Sequence, residues 1–282
     1  MEILKFLLAP FVASLVITGI HVYLGVHVVE RGVIFVDLAL AQMAALGVTI
    51  GFLLGYGLHT SASFWWSLGF TLMGALIFTL TRRTKTKIPQ EAFIGIAYVI
   101  SAAASILAMS QAPEGTEHLK DMLVGNILTV SWPEIIKIFI IYSLIGVFHW
   151  IFRRNFILIS TNLPQALEKK ISIPLWDFLF YLSFGLVVTY SVSIAGVLLV
   201  FSFLIVPAVC AMLFADKIGY RLIIGWVLST LVSILGIALS YLIDLPTGAA
   251  IVCTFGLALL LCVLAKFIHE SVTGGNRKNN SA

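Results

Sequence analysis

The chain has 282 residues, of which 60% are hydrophobic and only 11% charged, with a mean hydropathy of +1.08 and a net charge of +4. A soluble domain carries about 25% charged residues, so this chain has too little polar side chain to cover a globule. The same composition excludes intrinsic disorder, a disulfide scaffold and a nucleic-acid-binding domain.

A bilayer's hydrocarbon core is about 30 Å thick, and a helix crossing it needs roughly 20 mostly apolar residues. Runs of that kind occur near 5–28, 33–55, 62–81, 91–110, 135–152, 175–193, 195–215, 222–243 and 248–268. The first is too long for the apolar core of a signal peptide and lacks a small-residue cleavage site, so it is read as a span. The 195–215 run follows its predecessor after barely a turn, at Ser193-Ile194-Ala195-Gly196, and carries Pro207; a broken or re-entrant element is the alternative there. The expected fold is all-α, a polytopic transmembrane bundle of eight to nine helices. Residues 1–273 form its membrane domain and 274–282 a polar, disordered tail. Cys210, Cys253 and Cys262 each stand in an apolar run and read as buried, inert thiols.

The sparse charges sort by side. Arg31, the Arg82-Arg83-Lys85-Lys87 cluster, Arg153-Arg154, Lys169-Lys170, Lys217 with Arg221, and Lys266, Arg277 and Lys278 fall in alternate connections, fourteen of the 17 basic residues. Glu2, Glu114, Glu117, Asp121, Glu134 and Asp244 fall on the other side, against only Lys5, Lys120 and Lys137. The positive-inside rule makes the basic side cytoplasmic. Nine spans then put the N-terminus outside and the C-terminus in the cytoplasm.

Two connections are long. The outer one, 111–134, contains Leu123-Val124-Gly125-Asn126-Ile127-Leu128, a plausible interfacial or re-entrant piece. In the cytoplasmic one, Asn162 can cap a short helix with Pro164 in its first turn and Lys169 and Lys170 at its C-terminal end, where they suit the helix dipole. From the residues alone, an amphipathic surface helix and a solvated linker are equally good readings.

Acidic groups inside a membrane are costly and therefore functional candidates. Asp37 and Glu91 are singled out, early in the second and fourth runs. Structural alternatives are a pair with Arg31 or a cap for Asp37, and a first-turn dipole partner for Glu91. His21 and His27 are six residues apart, about 240° around a helix, and do not face one ion. His149 reads as a hydrogen-bonded core residue. His118, among Glu114, Glu117 and Asp121, reads as part of a solvated acidic loop or a cation-attracting cluster. No nucleotide-binding, nucleophile-elbow or zinc-protease motif is present, so the chain is not read as an enzyme.

Five strings carry a resemblance. They are Gly25-Val26-His27-Val28-Val29-Glu30-Arg31-Gly32 running into Asp37-Leu38-Ala39-Leu40-Ala41-Gln42-Met43-Ala44-Ala45-Leu46-Gly47; Glu91-Ala92-Phe93-Ile94-Gly95-Ile96; the 123–128 string; Gly196 to Ala208; and Asp244-Leu245-Pro246-Thr247-Gly248-Ala249. In this order the chain resembles the permease subunits of ABC importers for zinc, manganese and ferrous iron, with a type II importer-like fold. The resemblance implies a bacterial plasma (inner) membrane location. It also implies a second permease copy (a homodimer), a separate ATP-binding cassette ATPase and an extracytoplasmic metal-binding protein as partners. The metal is the substrate, and no cofactor is permanently bound. The 162–171 segment matches the family's coupling helix, so Pro164, Gln165, Ala166, Leu167, Glu168 and Lys169 would dock on the ATPase. Gly196 to Pro207 would line the subunit interface and translocation path, where small residues let helices approach.

The family's second helix carries an Asp and a His one turn apart; aligned on Gly47, those positions here are Leu38 and Gln42, with Asp37 displaced by one residue. An amide is a harder, weaker ligand than imidazole. The expected transit site is therefore loose and mostly carboxylate, Glu91 with Asp37 and with Gln42 as helper. Two further classes fit the bare residues: a secondary carrier using Asp37 and Glu91 to couple protons, and a membrane scaffold with no path.

Overall fold

The computed structural model describes residues 2–57, 60–82, 88–110, 125 and 127–279, with side chains from 7 to 271. Eleven α-helices occur among them. They are α1 (Glu2–Arg31), α2 (Val36–Leu53), α3 (Ser61–Arg82), α4 (Gln90–Met109), α5 (Trp132–Ile151), α6 (Arg153–Thr161), α7 (Leu163–Glu168), α8 (Ile173–Ala195), α9 (Val197–Phe214), α10 (Ile218–Ile243) and α11 (Thr247–Asn279). Nine of these are long and apolar enough to cross a membrane. The shortest, with 18 residues, reach about 27 Å at 1.5 Å per residue. The count is nine among the described residues, and α9 is a full-length helix rather than a re-entrant piece. Pro207 sits inside it, where neighbouring helices support the ladder that proline interrupts. Helix α11 runs on to Asn279, through most of the stretch expected as a disordered tail.

The helices pack as two groups. Helices α2, α3, α4 and α8 contact one another, as do α1, α9, α10 and α11; α5 lies against α1 and α8, and α9 touches α8 and α2. Burial follows this plan. Helices α1, α2, α8 and α9 have half or more of their membrane windows covered by protein, whereas α4, α5 and α11 turn rows such as Val99, Ile100 and Leu107 outward. An apolar run therefore does not imply a buried residue: Cys210 is buried, but Cys253 is exposed and Cys262 half-buried. In lipid the outward face is as apolar as the core.

Close approach uses small residues. A Cβ on Gly25 of α1 would overlap the Leu204 carbonyl of α9, so only glycine permits this contact. Pro207 is buried, and Gly225 of α10 packs on it and on Val22.

The alternating spans gather Arg31, Arg82, Arg153, Arg154, Lys169, Lys170, Lys217 and Arg221 at one end, called the basic end below. At the opposite end α8 turns into α9 through Gly196, whose φ of 76° and ψ of 163° are open only to glycine. Gly125 lies against Ala195 and Gly196, and the 3-10 turn Ile127–Thr129 follows it with Ile127 buried. The remainder of the 123–128 string, apart from Leu128, lies outside the described residues.

Candidate functional site

Three helix ends, far apart in sequence, meet at the basic end. Arg31 closes α1, Arg82 closes α3, and Asp177 stands in the first turns of α8. Asp177 Oδ1 accepts from Arg31 Nη1 at 2.9 Å and from Arg82 Nη1 at 2.6 Å, with the Arg31 and Asp177 side chains 1% and 2% exposed. A carboxylate this deep is tolerable only with such partners, and here two guanidiniums share it. The Arg31 guanidinium also lies 3.8 Å from the Phe180 ring centroid. Gln90, first residue of α4, donates to the Phe78 carbonyl of α3 at 2.8 Å and reaches Tyr181 of α8 at 3.1 Å. On the other flank, Glu30 pairs with Arg221 of α10, and Arg221 Nε donates to the Ala215 carbonyl at 2.8 Å.

Asp177 is missing from the acids the sequence reading singles out, although it stands inside the 175–193 run. Its signal was an acid two residues into an apolar run on the basic side. The structure also corrects the alternative role of Asp37: Arg31 pairs with Asp177, and Asp37 does not take part.

Asp37 is 1% exposed, and neither of its carboxylate oxygens has a hydrogen-bond partner. Phe35, the N-cap of α2, offers no side-chain hydrogen bond to the helix end. Glu91 of α4 supplies one instead: its Oε1 accepts from Phe35 N at 2.9 Å, a favourable place for a carboxylate at a helix N-terminus. Glu91 is thus brought to the turn of α2 that carries Asp37, and its Oε2 has no partner. Gln42 is buried deeper in α2, five residues on and about 7.5 Å further along the axis. Its position is about 140° around the helix from Asp37.

His21, His27 and His149 are tied into the core. His149 Nε2 lies 2.8 Å from Ser183 Oγ and its Nδ1 3.2 Å from the Tyr23 hydroxyl, with Phe156 stacked on the ring. His21 Nδ1 lies 2.8 Å from the Ile17 carbonyl, and His27 Nδ1 2.8 Å from Ser160 Oγ. Among the described residues no group of three or more His, Cys, Asp or Glu is placed to hold a metal ion. The acidic loop with His118 lies outside them.

Beyond the bundle, α6 and α7 fill the long connection at the basic end. Helix α6 was not expected; the apolar Phe156-Ile157-Leu158-Ile159 was its trace, and Phe156 and Ile159 bury its inner face. Asn162 caps α7 through its side chain, accepting from Gln165 N at 3.1 Å. The far end closes with Lys170 at φ 55°, Lys170 N donating to Leu167 O at 2.9 Å and Ile171 N to Ala166 O at 3.1 Å, a Schellman closure. Only Ala166 of α7 is buried; Leu163, Pro164, Gln165, Leu167, Glu168 and Lys169 are exposed.

Nine membrane-length helices among the described residues, with a buried ionic cluster at one end and a short helix beyond it, define a multi-pass membrane protein. The profile of the ABC 3 transport family matches residues 3–266, and the chain belongs to that family. It is 25% identical over 252 residues to the manganese transport system membrane protein MntC of Listeria monocytogenes, covering 88% of this chain and 86% of the relative. To the manganese import system permease protein ScaB of Streptococcus gordonii it is 26% identical over 262 residues, 91% of this chain and 90% of that one. The fold is shared with the solved structure of PsaBC from Streptococcus pneumoniae in complex with Fab, with a TM-score of 0.76 at 23% identity over 91% of this chain and 90% of that chain.

Proposed function

We propose that the chain is the membrane-spanning permease of an ABC importer for a divalent transition-metal cation, zinc, manganese or iron. What supports the class is the family match over 3–266, and what supports the cargo is that relatives aligned over about nine-tenths of the chain are named for manganese. ATP is hydrolysed on a separate subunit, an extracytoplasmic protein delivers the metal, and a second permease copy completes the path. The basic end, with the C-terminus, is cytoplasmic.

Within this reading Asp37 is the group that marks the ion's route. A buried carboxylate with no protein partner in a low-dielectric setting favours a cation. Glu91 Oε2 is available from the neighbouring helix, and Gln42 adds an amide oxygen further in. A site of so few ligands binds weakly, which suits a conduit that must release what it takes up. Helix α9, from Gly196 to Pro207, forms a wall of the path. Helix α7 docks on the ATPase through Pro164, Gln165, Ala166, Leu167, Glu168 and Lys169, five of which are exposed.

The test is radioactive manganese, zinc and iron uptake into proteoliposomes holding the permease and its ATPase. ATP-dependent uptake is expected, falling on the order of tenfold in Asp37→Asn and in Glu91→Gln, as when a metal site loses a supporting contact. Loss in Glu91→Gln alone would move the site away from α2. Uptake driven by a proton gradient without ATP would replace the reading with a secondary carrier.

A further inference from the structure

Both helix groups pack against α6: Phe156 lies on Trp176 and Phe180 of α8, and Ser160 faces the end of α1. Arg31 ends α1, in the first group; Asp177 and Arg82 belong to α8 and α3, in the second. The same guanidinium that pairs with Asp177 donates from Nε to Ser160 Oγ at 2.8 Å. Ser160 is the penultimate residue of α6, and its hydroxyl also lies 2.8 Å from His27 Nδ1 and donates back to the Phe156 carbonyl at 3.0 Å. Ser160 is 8% exposed, so these contacts are not diluted by solvent.

The link from Ser160 to α7 is short and stiff. Only Thr161 and Asn162 intervene before Leu163. Asn162 N donates to the Leu158 carbonyl at 2.8 Å, its carbonyl accepts from Ala166 N at 3.1 Å, and its side chain caps α7. A displacement of α7 therefore cannot be absorbed by slack chain before it reaches Ser160. On the far side of α1, the adjacent Glu30 is paired with Arg221 at the head of α10. A pull on the end of α1 is thus shared with the remainder of its own group, while Asp177 passes it to the second.

We propose that Ser160, Arg31 and Asp177 form the joint that delivers displacement of the docking helix α7 to both helix groups, with Ser160 as the positioning residue that engages it. The inference rests on the reading of α7 as the ATPase-docking helix. It adds the route by which that contact acts on the membrane helices. Arginine suits the position because its fork holds two acceptors at once while keeping its charge; lysine, a point charge, cannot hold both in fixed directions.

The experiment uses the reconstituted complex with the ATPase, measuring ATPase co-purification, ATP hydrolysis and metal imported per ATP. Leu167→Asp tests the docking reading alone: it is expected to abolish co-purification, and retention of the ATPase would overturn docking through α7. Ser160→Ala tests the joint. The expected result is normal co-purification and normal hydrolysis, with metal imported per ATP falling about two- to thirtyfold, the range that mutations along coupling networks produce. Ser160→Thr, which keeps the hydroxyl, should restore the ratio. An unchanged ratio in Ser160→Ala, a proportional fall of hydrolysis and uptake, or failure of Ser160→Thr to restore it would each overturn the joint. Should Ser160→Ala not assemble, Arg31→Lys keeps the charge facing Asp177 while removing the Nε donor, and the same fall in metal per ATP is expected of it.

Discussion

Asp177 and Asp37 are both buried carboxylates at the basic end, in the first turns of their helices, and their surroundings differ completely. Asp177 is held by Arg31 and Arg82, whereas Asp37 has no partner on either oxygen. In a low-dielectric interior a carboxyl group is held by cations that the protein supplies or by one that arrives from outside, or else it takes up a proton. Asp177 therefore fastens helices, whereas Asp37 has no protein partner, the condition that the proposed metal route requires. Their partners, not their acidity or depth, tell the two apart.

The sharpest way to break this comparison is Asp177→Ala. It strands two guanidiniums, one of them almost wholly buried, and should lower stability by about 3–5 kcal/mol, read as thermal unfolding of the purified protein in detergent. A loss below about 1 kcal/mol would mean that the arginines find other acceptors and that the cluster does not fasten the bundle. The opposite end offers a control held by backbone shape rather than charge. Gly196→Ala forces a side chain into a backbone region open only to glycine and should cost about 1–3 kcal/mol. Because no ion pair is involved there, that cost should not change with salt, unlike the partly exposed Glu30–Arg221 pair. Asn162→Ala removes the cap of α7, worth about 1 kcal/mol of local helix stability, and should show as weaker ATPase co-purification with the melting temperature held. The smallest stability change belongs to Asp37→Asn, unchanged or slightly raised, because an amide removes a buried charge without breaking a bond. A melting temperature lowered as far as in Asp177→Ala would show that Asp37 has a structural partner after all.

Much of the fold was legible because lipid imposes a coarse rule. Each run long enough to cross the bilayer is a helix, and the charged residues between runs lie at its ends. The nine spans and the cap at Asn162 follow from that rule and from local chemistry. Glu91 was legible as an acid in a first turn, but the turn it serves belongs to α2, a neighbour 56 residues away in sequence. Asp177 was visible in its run yet could not be matched to Arg31 and Arg82, 146 and 95 residues distant. Helix α6 hid in a connection because nine residues are too few to announce a period. The exposed Cys253 marks the same limit from the other side. Where both the core and the solvent are apolar, hydropathy does not say which face of a helix is inside.

Composition and run length by themselves determined that this protein lives in a membrane, crosses it many times and carries its positive charge at one end, because the hydrocarbon core accepts no other arrangement of these residues. Local side-chain chemistry determined where α7 begins. Only the tertiary structure decided which charges meet. Hydrogen bonds and ion pairs act over about 3 Å, and whether Arg31 reaches Asp37 or Asp177 depends on how α1 packs against α9 and how α3 packs against α8. That packing leaves one acid satisfied and the other open.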